Sequence, residues 1–326
     1  MQNRFVTRRS LLRLAGAATM TAALAGALRA EGRQGRLVPA VPPPFASTTP
    51  MSIGEVALRV RDLDTMIAFY RDALGLALIE RNSNGARMGA GGTVLLNLVR
   101  SPDAATEPRS EAGLYHIAFL LPSRTELARW LVHASVTQIL LAGFADHVVS
   151  ESVYLSDPEG NGLEIYSDRP REEWQWNDGL VTMGATKLDI DSILALTDIS
   201  QDTYRAAPEK MVIGHVHLRI GDIDAGRNFY QHALGLALTA DRGNAAFVAS
   251  GGYHHHVAMN VWNSRGAGPR HRTNTGLDWF SIKVQDDNIL SAQSDRLRKA
   301  ANPVSKLSRG IETIDPWGTR VRLLRT

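Results

Sequence analysis

An internal repeat limits this chain more than any other feature does. Residues 53–78, IGEVALRVRDLDTMIAFYRDALGLAL, recur at 213–238 as IGHVHLRIGDIDAGRNFYQHALGLAL, an offset of 160 residues. Each copy opens on an alternating, strand-like run and continues with an Asp placed to cap a helix, Asp62 or Asp222. The helix carries Phe69-Tyr70 or Phe229-Tyr230 and ends through Gly75 or Gly235. The turns Gly91-Gly92 and Gly251-Gly252 then separate two further strands. A second kind of unit, similar in order but weaker in identity, runs from Gly113 to Arg169 and again from Gly276 to Thr326. The expected fold class is therefore α+β, built from four βαβββ modules numbered one to four along the chain.

The modules do not include the N-terminus. Arg8-Arg9-Ser10-Leu11-Leu12 precedes a mild Ala/Gly/Leu run with no acidic residue before Glu31. Residues 1–30 read as a twin-arginine signal peptide, whose apolar run is shorter than the roughly 20 residues a spanning helix needs. That reading implies passage through the twin-arginine translocation machinery and a periplasmic location. Residues 31–50, rich in Pro, Ser and Thr, read as a linker outside the fold. Two halves follow, 51–170 with modules one and two and 211–326 with modules three and four. Residues 171–210 link them, with Trp174 and Trp176 expected to pack across a seam. There is no cysteine, which excludes a disulfide scaffold, a thiolate metal site and a cysteine nucleophile. The net charge of +3 derives partly from the basic leader and gives no reason to invoke nucleic acid. Self-association into a homo-oligomer is left open by the composition.

The chemistry concentrates in residues 146–166, DHVVSESVYLSDPEGNGLEIY. Asp157-Pro158-Glu159-Gly160-Asn161-Gly162 is dense turn chemistry between two strands. Side chains alternate along a strand, so Ser152, Tyr154 and Ser156 share one face, and Glu164 and Tyr166 share one on the return. A carboxylate flanked by Leu163 and Ile165 is costly unless something positive meets it, and a metal ion is the expected partner. The first strand of each module likewise has one apolar and one mixed face. The mixed faces read Glu55/Ala57/Arg59, His116/Ala118/Leu120, His215/His217/Arg219 and Trp279/Ser281/Lys283.

Four such modules resemble the vicinal-oxygen-chelate superfamily, which includes glyoxalase I, antibiotic-resistance binding proteins and type I extradiol dioxygenases. The resemblance covers nearly all of 52–326. Its sharpest part is similar to the extradiol signature, carried here by His147, Val153, Tyr154, Asp157, Pro158, Gly160 and Glu164. One position departs, where Ala145 replaces the usual Gly, Asn, Thr or β-branched aliphatic residue. The strings GLYHIAFLLPSR, LSDPEGNGLEIYSDRP and GGYHHHVAMNVW look like the Bacillus type of catechol 2,3-dioxygenase.

The resemblance implies a glyoxalase/dihydroxybiphenyl-dioxygenase-like fold, in which the modules pair into two half-barrel cups. It implies a metal ligand at the first residue of each mixed face and another near the middle of each last strand, here Asn97, Glu164, Asn260 and Arg322. Only modules two and three then offer donors throughout, namely His116, Glu164 and His215. Modules two and three are accordingly expected to share the metal cup, and modules one and four a metal-free one. Glu55 is an alternative ligand from module one. Two imidazoles and a carboxylate suit Fe(II), with Mn(II) as the alternative. The implied activity is extradiol ring cleavage of a small aromatic diol by O2, giving a 2-hydroxymuconic-semialdehyde-type product. His256 is the implied acid/base and His254 its alternate. Strand alternation turns both toward the face of Asn260 and turns His255 away. Tyr154 and His147 would donate hydrogen bonds to the bound diol, and His217 would line the wall. A glyoxalase-like isomerase or lyase using Zn(II) or Ni(II), and a non-catalytic binding or resistance protein, remain as other readings. Asn97 and Asn260 count against the first, because that chemistry usually takes a second carboxylate.

Overall fold

The computed structural model describes residues 42–326, so the signal expected at 1–30 and residues 31–41 lie outside the described residues. Module one comprises β1 (Met51–Val60), α1 (Leu63–Leu74), β2 (Ala77–Asn82), β3 (Gly85–Ala90) and β4 (Thr93–Arg100). Module two comprises β5 (Gly113–Leu120), α2 (Arg124–Val136), β6 (Leu141–Asp146), β7 (Ser150–Ser156) and β8 (Gly162–Asp168). The connecting segment carries a small hairpin, β9 (Trp176–Asn177) with β10 (Leu180–Val181), and a short helix α3 (Ile190–Leu194). Module three follows as β11 (Val212–Arg219), α4 (Ile223–Arg227), β12 (Ala237–Asp241), β13 (Ala245–Ala249) and β14 (Val257–Asn260). Module four is β15 (Gly276–Val284), α5 (Asp287–Lys299), β16 (Ser305–Leu307), β17 (Gly310–Ile314) and β18 (Arg320–Arg325).

Each module helix starts where the sequence supplies a cap. Asp62, Ser123, Asp222 and Asp286 accept the backbone N–H three residues on, at 3.0, 3.2, 2.8 and 2.9 Å. Gly75, at φ 71°, ends α1 in the left-handed conformation that a side chain would resist. The second copy of the helix differs from the first. Gly226-Arg227-Asn228 are poorer helix formers than Met66-Ile67-Ala68, and α4 loosens into a π-helical turn over Asn228–Ala233.

The eighteen strands form two eight-stranded sheets and the small hairpin. One sheet runs β16-β17-β18-β15-β1-β4-β3-β2 and the other β12-β13-β14-β11-β5-β8-β7-β6. Modules one and four therefore share one sheet and modules two and three the other, as the placement of usable ligands anticipated. The sequence halves 51–170 and 211–326 each contribute one module to each sheet. The modules join through antiparallel pairing of their first strands, β1 with β15 and β5 with β11. The alternate faces of these strands pack inward on the helices, with Val56, Leu58, Val216 and Leu218 at most 1% exposed.

The repeat also sets two cross-module hydrogen bonds. Tyr70 donates to Asp157 and Tyr230 donates to Asp315, both at 2.9 Å in buried surroundings. The aromatic pair of modules one and three thus anchors the Asp-Pro turns of modules two and four. Burial pushes both carboxyls up to about 6, against the hydrogen bonds they accept.

Part of the segment expected to be a linker belongs to the fold. Phe45–Ser47 form a single 3-10 turn, Ala46 and Thr49 are buried, and Phe45 packs against Trp174 and Tyr253. Of the tryptophans expected at a seam, Trp174 is 6% exposed and packs against Tyr253 at a tilt, whereas Trp176 sits in the small hairpin at 40% exposure.

Candidate metal centre

Strands β5, β8 and β11 adjoin in the second sheet, and each turns one polar side chain into the same cup. His116 Nε2 lies 2.9 Å from Glu164 Oε2, His215 Nε2 lies 3.2 Å from the same oxygen, and the two imidazole nitrogens are 3.3 Å apart. All three residues are at most 5% exposed. Burial alone would raise Glu164, but His215 and His116 outweigh it and hold the carboxyl well below its usual value. Burial in turn lowers His215 to about 4. At neutral pH Glu164 is ionised beside a neutral His215 with a free nitrogen lone pair, a buried negative charge that needs a cation.

The donors fit a divalent metal. Bonds of about 2.0–2.2 Å to one ion place neighbouring donors about 3 Å apart, which is the spacing found here. Among the described residues this is the one cluster of such side chains able to hold a metal ion. In the other cup, Glu55 accepts from Asn97 at 2.8 Å and Arg322 lies over Trp279 at 4.0 Å. Glu55 is therefore too far removed in the fold to complete the set.

A bulge in the strand pairing shapes His215. Register slips by one residue between Ile213 and His215, making Gly214 the extra residue of a bulge. A Cβ there would sit 1.8 Å from the Tyr166 hydroxyl. That hydroxyl is 3.3 Å from His215 Nδ1 and 2.8 Å from the Tyr253 hydroxyl, which donates to Asp168 at 3.2 Å. An acceptor-only carboxylate at the end of this chain orients each donor toward it. His215 then carries its proton on Nδ1 and presents the Nε2 lone pair to the metal position.

The same Asp168 oxygen accepts from His254 Nε2 at 2.9 Å, and His254 Nδ1 lies 2.7 Å from His255 Nδ1. With His254 Nε2 donating to Asp168 and its Nδ1 accepting, His255 donates from Nδ1 and keeps a free lone pair on Nε2. His255 lines the cup with its ring centroid 4.1 Å from that of His215. Burial, reinforced by His215 and His254, holds its pKa well below the usual histidine value, so it is neutral at pH 7.

These positions correct the reading of the His254-His255-His256 run. His256 does not line the cup. Its Nε2 meets Ala46 O at 3.0 Å and Thr49 Oγ1 at 3.2 Å, while Nδ1 accepts from Ser250 N at 3.2 Å. His254 stands behind His255. The expected alternation fails because β13 ends at Ala249 and β14 begins only at Val257, so the run lies in a turn. Tyr154 and His147 do line the cup, on the hairpin wall opposite β11. His147 Nδ1 donates to Gly184 O at 2.7 Å, leaving Nε2 to accept from the Tyr154 hydroxyl at 2.5 Å. His217 also lines it, and Asn260 donates to its Nε2 at 2.9 Å from behind.

The cup has a volume of about 540 Å³. Sequence reading missed several of its walls. Tyr115, which strict alternation sends away from His116, is the extra residue of a second bulge, opposite the step from His217 to Leu218. It turns into the cup with Trp262 beside it, ring centroids 5.2 Å apart. Phe247 on β13 and the loop arginine Arg109 complete the wall, and no local pattern marks either.

Comparison with known proteins places the fold in a family. A family model for the Glyoxalase/Bleomycin resistance protein/Dioxygenase superfamily matches residues 52–165 and 212–313. The Catechol-2,3-dioxygenase of Bacillus subtilis (strain 168) is 35% identical over 273 residues, covering 81% of this chain and 93% of that protein. Among solved structures, glyoxalase I from Zea mays matches with a TM-score of 0.53 at 14% identity, over 86% of this chain and 94% of that one. The cppA protein from Streptococcus pneumoniae TIGR4 matches with a TM-score of 0.50 at 9% identity, over 84% of this chain and 100% of that one. At such identities these two likenesses concern the fold alone. From its repeat, its paired modules and these matches, the chain belongs to the Glyoxalase/Bleomycin resistance protein/Dioxygenase superfamily.

Proposed function

We propose that the protein is an extradiol dioxygenase that holds Fe(II) on His116, Glu164 and His215. It would open a catechol or substituted catechol beside its two hydroxyls, giving a 2-hydroxymuconic-semialdehyde-type product. The observation that carries this reading is the convergence of two imidazoles and one carboxylate at the floor of a buried cup, with no fourth member of the cluster among the described residues. Such a set on one face suits non-haem Fe(II) and leaves positions for exogenous ligands. Kinship with the Bacillus subtilis protein named Catechol-2,3-dioxygenase supports the same chemistry. When bound, the iron supplies adjacent positions for the diol oxygens and dioxygen, and an electronic path between them.

The remaining work falls to side chains. His255 Nε2, its lone pair set by His254 and Asp168, takes the second diol proton and returns it later. Tyr154, its own proton given to His147, faces the same space from the hairpin and offers its hydroxyl oxygen as an acceptor to a diol hydroxyl. His217, Tyr115 and Trp262 form an apolar and aromatic wall that keeps water from the ring. The isomerase reading has less support, since the second-carboxylate positions hold Asn97 and Asn260. Turnover under ¹⁸O2 tests the proposal: both labelled atoms should appear in a yellow ring-opened product, and an unlabelled isomer would refute it. Export through the twin-arginine machinery to the periplasm belongs to the same proposal and rests on Arg8-Arg9 and the apolar run after them. Fractionation of cells carrying an Arg8→Lys/Arg9→Lys variant tests it, with cytoplasmic retention expected.

A further inference from the structure

Accepting the proposed diol chemistry, we infer that the preferred substrate carries an acidic substituent on its ring, held by Arg219 and Arg109 at the outer end of the cup. His215, His217 and Arg219 alternate along one face of β11, so they form a row leading outward from the metal position. At about 3.3 Å per residue, Arg219 starts roughly 13 Å from His215 along the strand. A diol bound at the floor extends its ring past His217 and brings a para or meta substituent within reach of the Arg219 side chain.

The charge at that end is not matched by protein. Arg219 pairs at 2.6 Å with Glu107, whose side chain is 7% exposed, but Glu107 also takes Arg270 on its other oxygen, so one carboxylate serves two guanidinium groups. Arg219 uses Nε on Glu111 O and Nη2 on Glu107, leaving Nη1 without a hydrogen-bond partner among the described residues. Arg109 makes no salt bridge or hydrogen bond among the described residues and lines the same cup. Both guanidinium groups bear electrostatically on Tyr115, and Arg109 on Arg219, which places the two cations around one end of the cavity. Among the described residues, Glu164, committed to the floor, is the one carboxylate lining the cup. An excess of arginine in a walled, partly dry cleft favours an anion, and a guanidinium with free donors suits a carboxylate best. A plain catechol would leave Arg109 and the Nη1 of Arg219 without an anionic partner.

The test compares 3,4-dihydroxyphenylacetate with its methyl ester, which have the same ring and diol but differ in charge. In the Fe(II)-loaded enzyme, kcat/KM should favour the acid by at least about tenfold. The ratio should fall toward one in 0.5 M salt, and about tenfold in Arg109→Gln, a change at an exposed residue that leaves the buried Glu107 pairs intact. A second readout needs no turnover: calorimetric binding of 4-hydroxyphenylacetate and its methyl ester to the metal-free chain should show the same preference. Equal affinities and equal kcat/KM for acid and ester would overturn the inference while leaving diol cleavage standing. Preferential binding of the acid without turnover of either diol would uphold the anion site and refute the dioxygenase reading.

Discussion

Gly214→Ala offers a quantitative test of how the fold positions a metal ligand. The added Cβ would lie 1.8 Å from the Tyr166 hydroxyl, 2.9 Å from Tyr166 Cζ and 3.2 Å from Leu120 Cβ. Contacts settle near 3.5 Å, so the hydroxyl must retreat by about 1.5–2 Å. Tyr166 is fully buried, and its retreat breaks the 3.3 Å approach to His215 Nδ1 and the 2.8 Å bond to Tyr253. Overpacking of this kind costs about 1–3 kcal/mol, and each lost hydrogen bond about 1 more. Metal affinity should drop about 10–100-fold, the usual effect of losing a residue that orients a ligand. The repeat supplies an internal control. Gly54 is the matching residue of module one, where a Cβ would meet Ser281 Oγ at 2.5 Å in the cup that holds no such donor cluster among the described residues. Gly54→Ala should also lower stability, yet keep the original metal affinity. Thermal unfolding of the metal-free chain and competition with a fluorescent chelator measure the two effects separately. If Gly54→Ala weakens metal binding as much as Gly214→Ala, or if Gly214→Ala binds metal normally, the orienting role of Tyr166 is wrong.

Two further outcomes follow from the structure. His255→Asn should lower kcat about 10²–10⁴-fold with metal content unchanged, whereas His256→Asn should chiefly lower the melting temperature; the reverse pattern in steady-state assays would return the proton-transfer role to His256. Asp157 has a folded-state pKa near 6, above its unfolded value, so the stability it contributes is full below about pH 4 and is lost as pH rises through 6. The stability advantage over Asp157→Asn should accordingly shrink by about 2–3 kcal/mol between pH 4 and 7 in urea titrations, and a flat difference would contradict that.

Much of this was legible in the sequence, because the informative signals are local. The repeat, the capping Asp62 and Asp222, and the pairing of Tyr154 opposite Glu164 across the β7–β8 hairpin follow from short-range spacing. Even the partnership of modules two and three could be read from where His116, Glu164 and His215 fell. What escaped notice lies where period-two alternation breaks. The bulge at Tyr115 and the turn holding His255 each reverse a side chain, and both depend on pairing with residues about a hundred positions away or on where a strand stops. Phe45 to Thr49 look like loop by composition, yet they are fixed by His256, Trp174 and Tyr253 from distant modules. Arg109 sits on a loop with no periodicity at all.

In the proposed function, three buried side chains hold an iron that cleaves diols. Anaerobic loading of the chain with Fe(II), metal analysis, and then addition of a diol and dioxygen with oxygen uptake recorded tests it most directly. The account predicts one iron per chain, one O2 consumed per diol, a yellow ring-opened product, and loss of both iron and uptake in His116→Ala, Glu164→Ala and His215→Ala. A chain that binds no iron, or that binds it and consumes no oxygen with either acidic or neutral diols, would contradict the account.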